Sequence, residues 1–372
     1  MIKVLFFVDR LRHGGIQQLI IDILKNNKAT DVQIDVLVFN DGEDYPLEEK
    51  VKMLGANLYK IDGWIKSPLS YIKQKKVLDK FYKEHNDYKV VHLNSSSKNF
   101  LVLREAKKYG IPIRIAHAHS VVFQTKNKFK VFIGNLLKNV LLKSATDYFA
   151  CSKTAGEWLF GKDITKTSSF KIVHNAIEYD KFKFNEDSRK EIRNAYNIDE
   201  KCIVFGNVGR FISAKNHAFL IDVFNEICKK NNNAKLMLVG IGEKEEEIKE
   251  KVKKLNLKDK VLFLGYREDV NKLMQAMDAF IMPSLYEGFP VVAVEAQATG
   301  IPCFLSKDVI TNEVKIADNI KFISLNESAN TWANEILHSD LNRNDNEEKL
   351  KNTGFFIENM VNELVSFYKK NI

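Results

Sequence analysis

Short apolar runs rich in β-branched residues recur along this chain, each followed by a longer amphipathic stretch, and that alternation limits the folds open to it. In the first half the runs cover residues 2–8, 34–39, 57–61, 90–93, 113–116, 148–150 and 171–173. In the second half they cover 203–208, 236–239, 261–264, 279–282, 302–305 and 320–323. Between them, residues 17–25, 218–230, 244–255 and 270–276 carry helical periodicity. Strand, helix, strand repeated in this way predicts an α/β fold, with parallel sheets covered by helices on both faces.

The pattern pauses once, across the charged stretch 178–201, and a new buried strand begins at Cys202. The domain boundary is placed within 177–199. This gives a first Rossmann-like domain over 1–177 and a second over 178–354, with a final helix near 355–372 expected to cross back onto the first. Open parallel sheets take ligands beyond the carboxyl ends of their strands, so two such domains facing one another predict a cleft between them.

Bulk properties narrow the class. With 372 residues, 45% hydrophobic and 28% charged, the chain reads as globular. Cys151, Cys202, Cys228 and Cys303 show no CxxC or CxxH spacing, which argues against a zinc site or a disulfide framework and fits a reducing, cytoplasmic setting. No run is long enough for a bilayer span. The net charge of +9 is unevenly placed: residues 1–170 hold 28 Lys+Arg against 17 Asp+Glu, and the remainder 29 against 31. A basic half points to an anionic partner, either a phosphorylated substrate or a membrane surface. No module or aromatic platform for nucleic acid accompanies it.

Three loops carry the chemistry. After the first run, Asp9-Arg10-Leu11-Arg12-His13-Gly14-Gly15 opens a helix, and its two glycines let backbone amides approach an anion. The run 203–208 leads into Gly209-Arg210-Phe211-Ile212-Ser213-Ala214-Lys215-Asn216, where Arg210 and Lys215 can clamp a pyrophosphate leaving group. The run 279–282 leads through Ser284 to Glu287-Gly288-Phe289-Pro290, with Pro290 expected at the first helical position and Gly300 closing the helix. The amides of residues 288–291 are expected to be free for phosphate or sugar hydroxyls. Glu295, within that apolar helix, needs polar partners such as ribose hydroxyls.

These residues resemble a known family. Glu287-x7-Glu295, preceded by Pro283-Ser284 and followed by Ala298-Thr299-Gly300-Ile301-Pro302, looks like the signature of retaining GT-B glycosyltransferases of family 4. Val173-His174-Asn175-Ala176-Ile177, Val239-Gly240-Ile241-Gly242, Leu264-Gly265-Tyr266 and Cys151-Ser152 are similar to further motifs of that family, with Ala176 where glycine is usual. The resemblance covers nearly the whole chain. The stretches Arg114–Ser120 and 150–161 are similar, more narrowly, to bacterial enzymes that extend exopolysaccharide or capsule repeat units on a lipid carrier.

The resemblance implies a GT-B fold and hexosyl transfer from a nucleotide diphosphate sugar, UDP-linked, to a glycan or lipid-linked acceptor. It implies that Arg210 and Lys215 contact the donor diphosphate and that Glu295 binds the ribose. It also implies that Glu287, with the amides of Gly288 and Phe289, lies near the donor sugar. It further implies that the first domain, 1–177, binds the acceptor and the second, 178–354, the nucleotide sugar, with Gly209 and Tyr266 on the donor side and Gly14 and Gly15 near phosphate or acceptor. The family's active-site histidine matches His117 or His119 in Arg114-Ile115-Ala116-His117-Ala118-His119-Ser120, and His119 is the better fit. Ser120 departs from the usual acidic residue or Asn.

No Asp-x-Asp pair occurs, so Arg210, Lys215 and helix N-termini are expected to supply the positive charge without a metal or other cofactor. The family's retaining chemistry implies same-face attack with no carboxylate nucleophile, His119 orienting the donor sugar. Residues 125–143 interleave Lys126, Lys128, Lys130, Lys138 and Lys143 with apolar residues, a pattern that suits a peripheral contact with an anionic leaflet. The rival reading is a silent GT-B copy that binds and stabilises another transferase. Retention of Arg210, Lys215, Glu287 and Glu295 disfavours it.

Overall fold

The computed structural model describes residues 1–64, 67, 69–121, 127–307, 309–310 and 312–372. The chain divides into two compact units, Met1–Ala176 with Ile357–Ile372, and Ile177–Phe356.

Unit 1 is built on a seven-stranded parallel sheet. Its strands are β1 (Ile2–Phe7), β2 (Val32–Asn40), β3 (Leu58–Asp62), β4 (Val90–Leu93), β5 (Ile113–Ala118), β6 (Asp147–Ala150) and β7 (Phe170–Ile172). Its helices are α1 (Gly15–Asn26), α2 (Pro46–Met53), α3 (Ser70–Glu84), α4 (Phe100–Lys108), α5 (Lys128–Ser144) and α6 (Lys153–Phe160). The strand order is β3-β2-β1-β4-β5-β6-β7, which reverses direction between β1 and β4. Val4 to Phe7 are fully buried, as expected of a central strand covered on both faces.

Unit 2 carries a six-stranded parallel sheet in the order β10-β9-β8-β11-β12-β13. The strands are β8 (Ile203–Val208), β9 (Ala234–Val239), β10 (Val261–Phe263), β11 (Ala279–Met282), β12 (Cys303–Ser306) and β13 (Ile320–Ile323). Helices α7 (Tyr179–Phe182), α8 (Glu186–Ala195), α9 (His217–Lys230), α10 (Glu245–Lys254), α11 (Val270–Ala276), α12 (Val291–Ala298), α13 (Ala329–Leu337) and α14 (Glu347–Lys351) surround it. Its order reverses between β8 and β11.

The last helix, α15 (Ile357–Lys370), belongs to unit 1. Its Met360, Val361, Leu364 and Tyr368 lie in one core with Val4, Phe6, Leu19 and Phe149.

Two local details differ from the sequence reading. Strand β5 runs on to Ala118, so His117 is a strand residue. Helix α12 begins at Val291, which leaves Pro290 as its N-cap with an extended-side ψ of 81°. Thr125 and Lys126 of the basic segment lie outside the described residues. All four cysteines are free, and among the described residues no helix is long and apolar enough to cross a membrane.

Candidate functional site

The loops that follow β8, β9 and β10 of unit 2 are tied to one another at the carboxyl edge of its sheet. Gly209 follows β8, Gly240 follows β9 and Gly265 follows β10. The Gly209 N–H donates to the Val239 carbonyl at 2.9 Å, and the Gly240 N–H donates to the Gly265 carbonyl at 2.8 Å. Gly240 has φ +138°, and a Cβ there would meet the Gly209 carbonyl oxygen at 2.1 Å. Gly242 is confined in the same way by the Phe211 backbone, 2.4 Å from where its Cβ would stand. Both glycines are therefore required by close approach of backbone to backbone.

The loop after β8 is joined to the loop after β11. The Leu285 N–H donates to the Ala214 carbonyl at 2.7 Å. Beside that bond, Lys215 Nζ donates to Glu287 Oε1 at 2.7 Å, with side chains only 19% and 9% exposed. Asn216, at φ 55°, turns the chain into α9, a left-handed position that Asn tolerates. The two motifs found in the sequence thus form one structure, with the Lys215 charge neutralised by Glu287. Arg210 is exposed and forms no ion pair among the described residues. The three side chains together carry one net positive charge in the loops beyond the ends of β8 and β11.

Around this core the other sequence-selected residues take different positions. Glu295 is part-buried on α12. Tyr266 is 46% exposed, next to Gly265. The Phe289 ring is buried and stacks on Phe355 at 5.3 Å, so only its backbone faces a ligand role. The expected row of free amides at 288–291 is shorter than anticipated: the Val291 N–H donates to the Phe289 carbonyl at 3.1 Å, because the chain turns tightly into α12.

In unit 1, Gly14 and Gly15 lie exposed at the start of α1. The two candidate histidines separate clearly. His117 is 3% exposed and its Nδ1 faces His92 Nε2 at 3.0 Å. His92 Nδ1 in turn meets the Tyr368 hydroxyl of α15 at 2.8 Å. His119, just past β5, is part-buried and packs against His117 with ring centres 4.0 Å apart. Burial pushes His92 down to about 3 and His119 down to about 4, and holds His117 well below the usual imidazole range. All three rings are therefore neutral near pH 7.

A neutral imidazole has one N–H and one lone pair. His119 Nε2 lies 3.0 Å from Asn94 Oδ1, and Asn94 donates its own Nδ2 to the His92 carbonyl at 3.3 Å. His119 Nδ1 lies 3.2 Å from Asn175 Oδ1, so an amide oxygen faces each ring nitrogen and the neutral ring, with its one N–H, donates to one of the two. Neither asparagine was singled out as a site residue from sequence. Asn175 does lie in the quoted Val173–Ile177 motif, and Asn94 opens the polar run Asn94-Ser95-Ser96-Ser97 directly after β4. Among the described residues no three His, Cys, Asp or Glu side chains gather as metal ligands.

The family model for glycosyl transferases group 1 matches residues 188–355, and that for Glycosyltransferase Family 4 matches residues 13–181. A relative from Bacillus subtilis, named "Putative glycosyltransferase EpsF", is 30% identical over 374 residues, covering 98% of this chain and 96% of its own. The chain belongs to the family 4 glycosyltransferases. A UDP-Gal:alpha-D-GlcNAc-diphosphoundecaprenol alpha-1,3-galactosyltransferase of Escherichia coli is 27% identical to this glycosyltransferase, covering 64% of this chain and 63% of that enzyme. Among solved structures, Anabaena HepE in complex with UDP and glucose superposes with a TM-score of 0.78 at 18% identity, covering 100% of both chains. That likeness shows a shared GT-B fold, in accord with the two parallel-sheet units.

Proposed function

We propose that this glycosyltransferase moves a sugar from a UDP-sugar to a glycan or lipid-linked acceptor during exopolysaccharide or capsule synthesis. The observation that carries the proposal is the joining of the Arg210–Lys215 loop to the Glu287 loop at the switch point of unit 2. Arg210 and Lys215 take the donor diphosphate, and Glu295 takes the ribose. UDP as the carrier is supported by the HepE complex and by the E. coli galactosyltransferase, whose name specifies a UDP-linked donor and a diphosphoundecaprenol acceptor.

Transfer in this reading retains anomeric configuration and needs no metal, since Arg210 and Lys215 supply positive charge where the leaving diphosphate develops it. His119, neutral and clasped by Asn94 and Asn175, orients the donor sugar; a ligand hydroxyl replaces one of the two amides at its ring. Glu287 holds Lys215 in line and moves to the donor sugar when the diphosphate engages that lysine. At the membrane, α5 offers Phe132 and Leu136, 57% and 50% exposed and one turn apart, for a peripheral contact on the cytoplasmic face. Flotation with anionic liposomes reads this contact, and equal flotation of a Phe132→Ser, Leu136→Ser variant would remove it.

The test of the main proposal is a thermal-shift and product screen against a panel of nucleotide sugars, with and without EDTA. A shift with a UDP-sugar that EDTA leaves intact, followed by an α-configured product from an α-linked donor, is expected. His119→Ala should slow transfer about a hundredfold or more while UDP affinity stays within about twofold. Turnover equal to wild type would reject the role given to His119.

A further inference from the structure

Four strand-end loops of unit 1 converge on one indole ring. The Arg10 guanidinium, past β1, lies 5.0 Å from the centre of the Trp64 ring, and Lys98 Nζ, past β4, lies 5.6 Å from it. Trp64 itself follows β3 and is part-buried. Arg10 pairs with Asp41, past β2, at 3.0 Å, and Asp41 also accepts the Tyr45 hydroxyl at 2.7 Å. Lys98 pairs with Asp9, whose carboxylate also accepts from Ser95 Oγ and Asn99 Nδ2. Asn99 Nδ2 is 2.7 Å from Ser95 Oγ as well. The sheet order reverses between β1 and β4, so the Asp9–Ser95 side of this cluster stands at the switch point where open α/β sheets take ligands.

Two properties select the kind of ligand. The two cations and two carboxylates cancel, so the cluster offers no net attraction to an anion, in spite of the basic composition of this half of the chain. Its polar groups are held in fixed directions by one another, and Arg10 and Lys98 lie over the ring of a part-buried indole. A pyranose ring, with directional hydroxyls on its rim and C–H groups on its face, uses both features at once.

We propose that Asp9, Arg10, Trp64, Lys98 and Asn99 form a sugar-ring subsite in unit 1 that holds the acceptor by its terminal sugar and not by its phosphate. This rests on the glycosyl-transfer reading and specifies the acceptor side of it. The indole takes the C–H face, Arg10 and Lys98 donate to ring hydroxyls, and Asp9 accepts from one.

The test uses the full chain saturated with UDP and ligand-observed saturation-transfer NMR. The probes are the methyl glycosides of glucose, galactose and N-acetylglucosamine, with inorganic pyrophosphate as the anionic comparison. At least one glycoside should give a saturable signal that weakens about tenfold in Trp64→Ala and is largely kept in Trp64→Phe. Pyrophosphate should not compete for it, and UDP affinity should be the same in all three proteins. An equal glycoside signal in wild type and Trp64→Ala would overturn the proposal. So would the absence of any glycoside signal, or pyrophosphate binding that is lost in Lys98→Gln. Glycoside binding at Trp64 in a protein that does not bind UDP would count against the donor reading and still support this subsite.

Discussion

At the residue scale, His119 is defined by its two asparagines. Asn94 Oδ1 faces Nε2, and Asn175 Oδ1 faces Nδ1. With burial holding its pKa near 4, the ring stays neutral through the working range, and activity that depends on the neutral form falls only in acid. Asn175→Asp places a carboxylate beside Nδ1 and favours the imidazolium. The acid limb of the kcat/KM profile should therefore move up by about one pH unit or more. A limb that stays in place would show that Asn175 does not position His119. Sequence alone marked His117 and His119 as rivals, because both stand at a strand end. What separates them is position along the strand: β5 extends to Ala118, so His117 lies within the sheet and is linked through His92 to Tyr368 of α15, far away in the chain, while His119 stands just past the strand.

At the scale of elements, most of the architecture was legible because it follows from hydrophobic period. The runs at 203–208, 279–282 and 320–323 are strands over those same residues. The loops were legible as chemistry but not as geometry. Glu287 and Lys215 are 72 residues apart, and their pairing follows from β8 and β11 lying side by side in the sheet. The Trp64 cluster went unnoticed for the same reason: its members come from the ends of four strands. The glycines divide by the same logic. Gly240→Ala forces a methyl group into the Gly209 carbonyl at a positive φ, and it should lower the melting temperature and weaken UDP binding at least about tenfold. Gly15→Ala meets nothing within 4 Å at the start of α1 and should fold with unchanged or slightly higher stability. Thermal melts and UDP titrations of both variants check this contrast; equal behaviour would refute it.

On the scale of the whole molecule, buried neutral histidines link stability to pH. His92, His119 and His217 are held at about 3, 4 and 4, with burial the main cause, and His117 is lowered too. Their unfolded values lie near 6.5. Between that pH and about 4 the unfolded chain binds more protons than the folded one, so stability falls as the pH drops through this window, by on the order of several kcal/mol. Carboxylates such as Asp41 and Asp269 are held below 3.8 by their Arg and Tyr partners and act only in stronger acid. Urea unfolding at pH 7.5, 6.5, 5.5 and 4.5 should show a falling midpoint from pH 6.5 downward. A flat midpoint to pH 4.5 would mean that these rings are protonated at little cost in the folded state.

The central claim is that unit 2 holds the donor diphosphate between Arg210 and Lys215, and the most direct measurement is UDP affinity by calorimetry in wild type, Arg210→Ala and Lys215→Ala. Each loss of a charge-assisted contact should weaken binding by about ten- to a hundredfold, with UDP release from a UDP-sugar falling at least as far. Wild-type affinity for UDP in both variants would contradict the account.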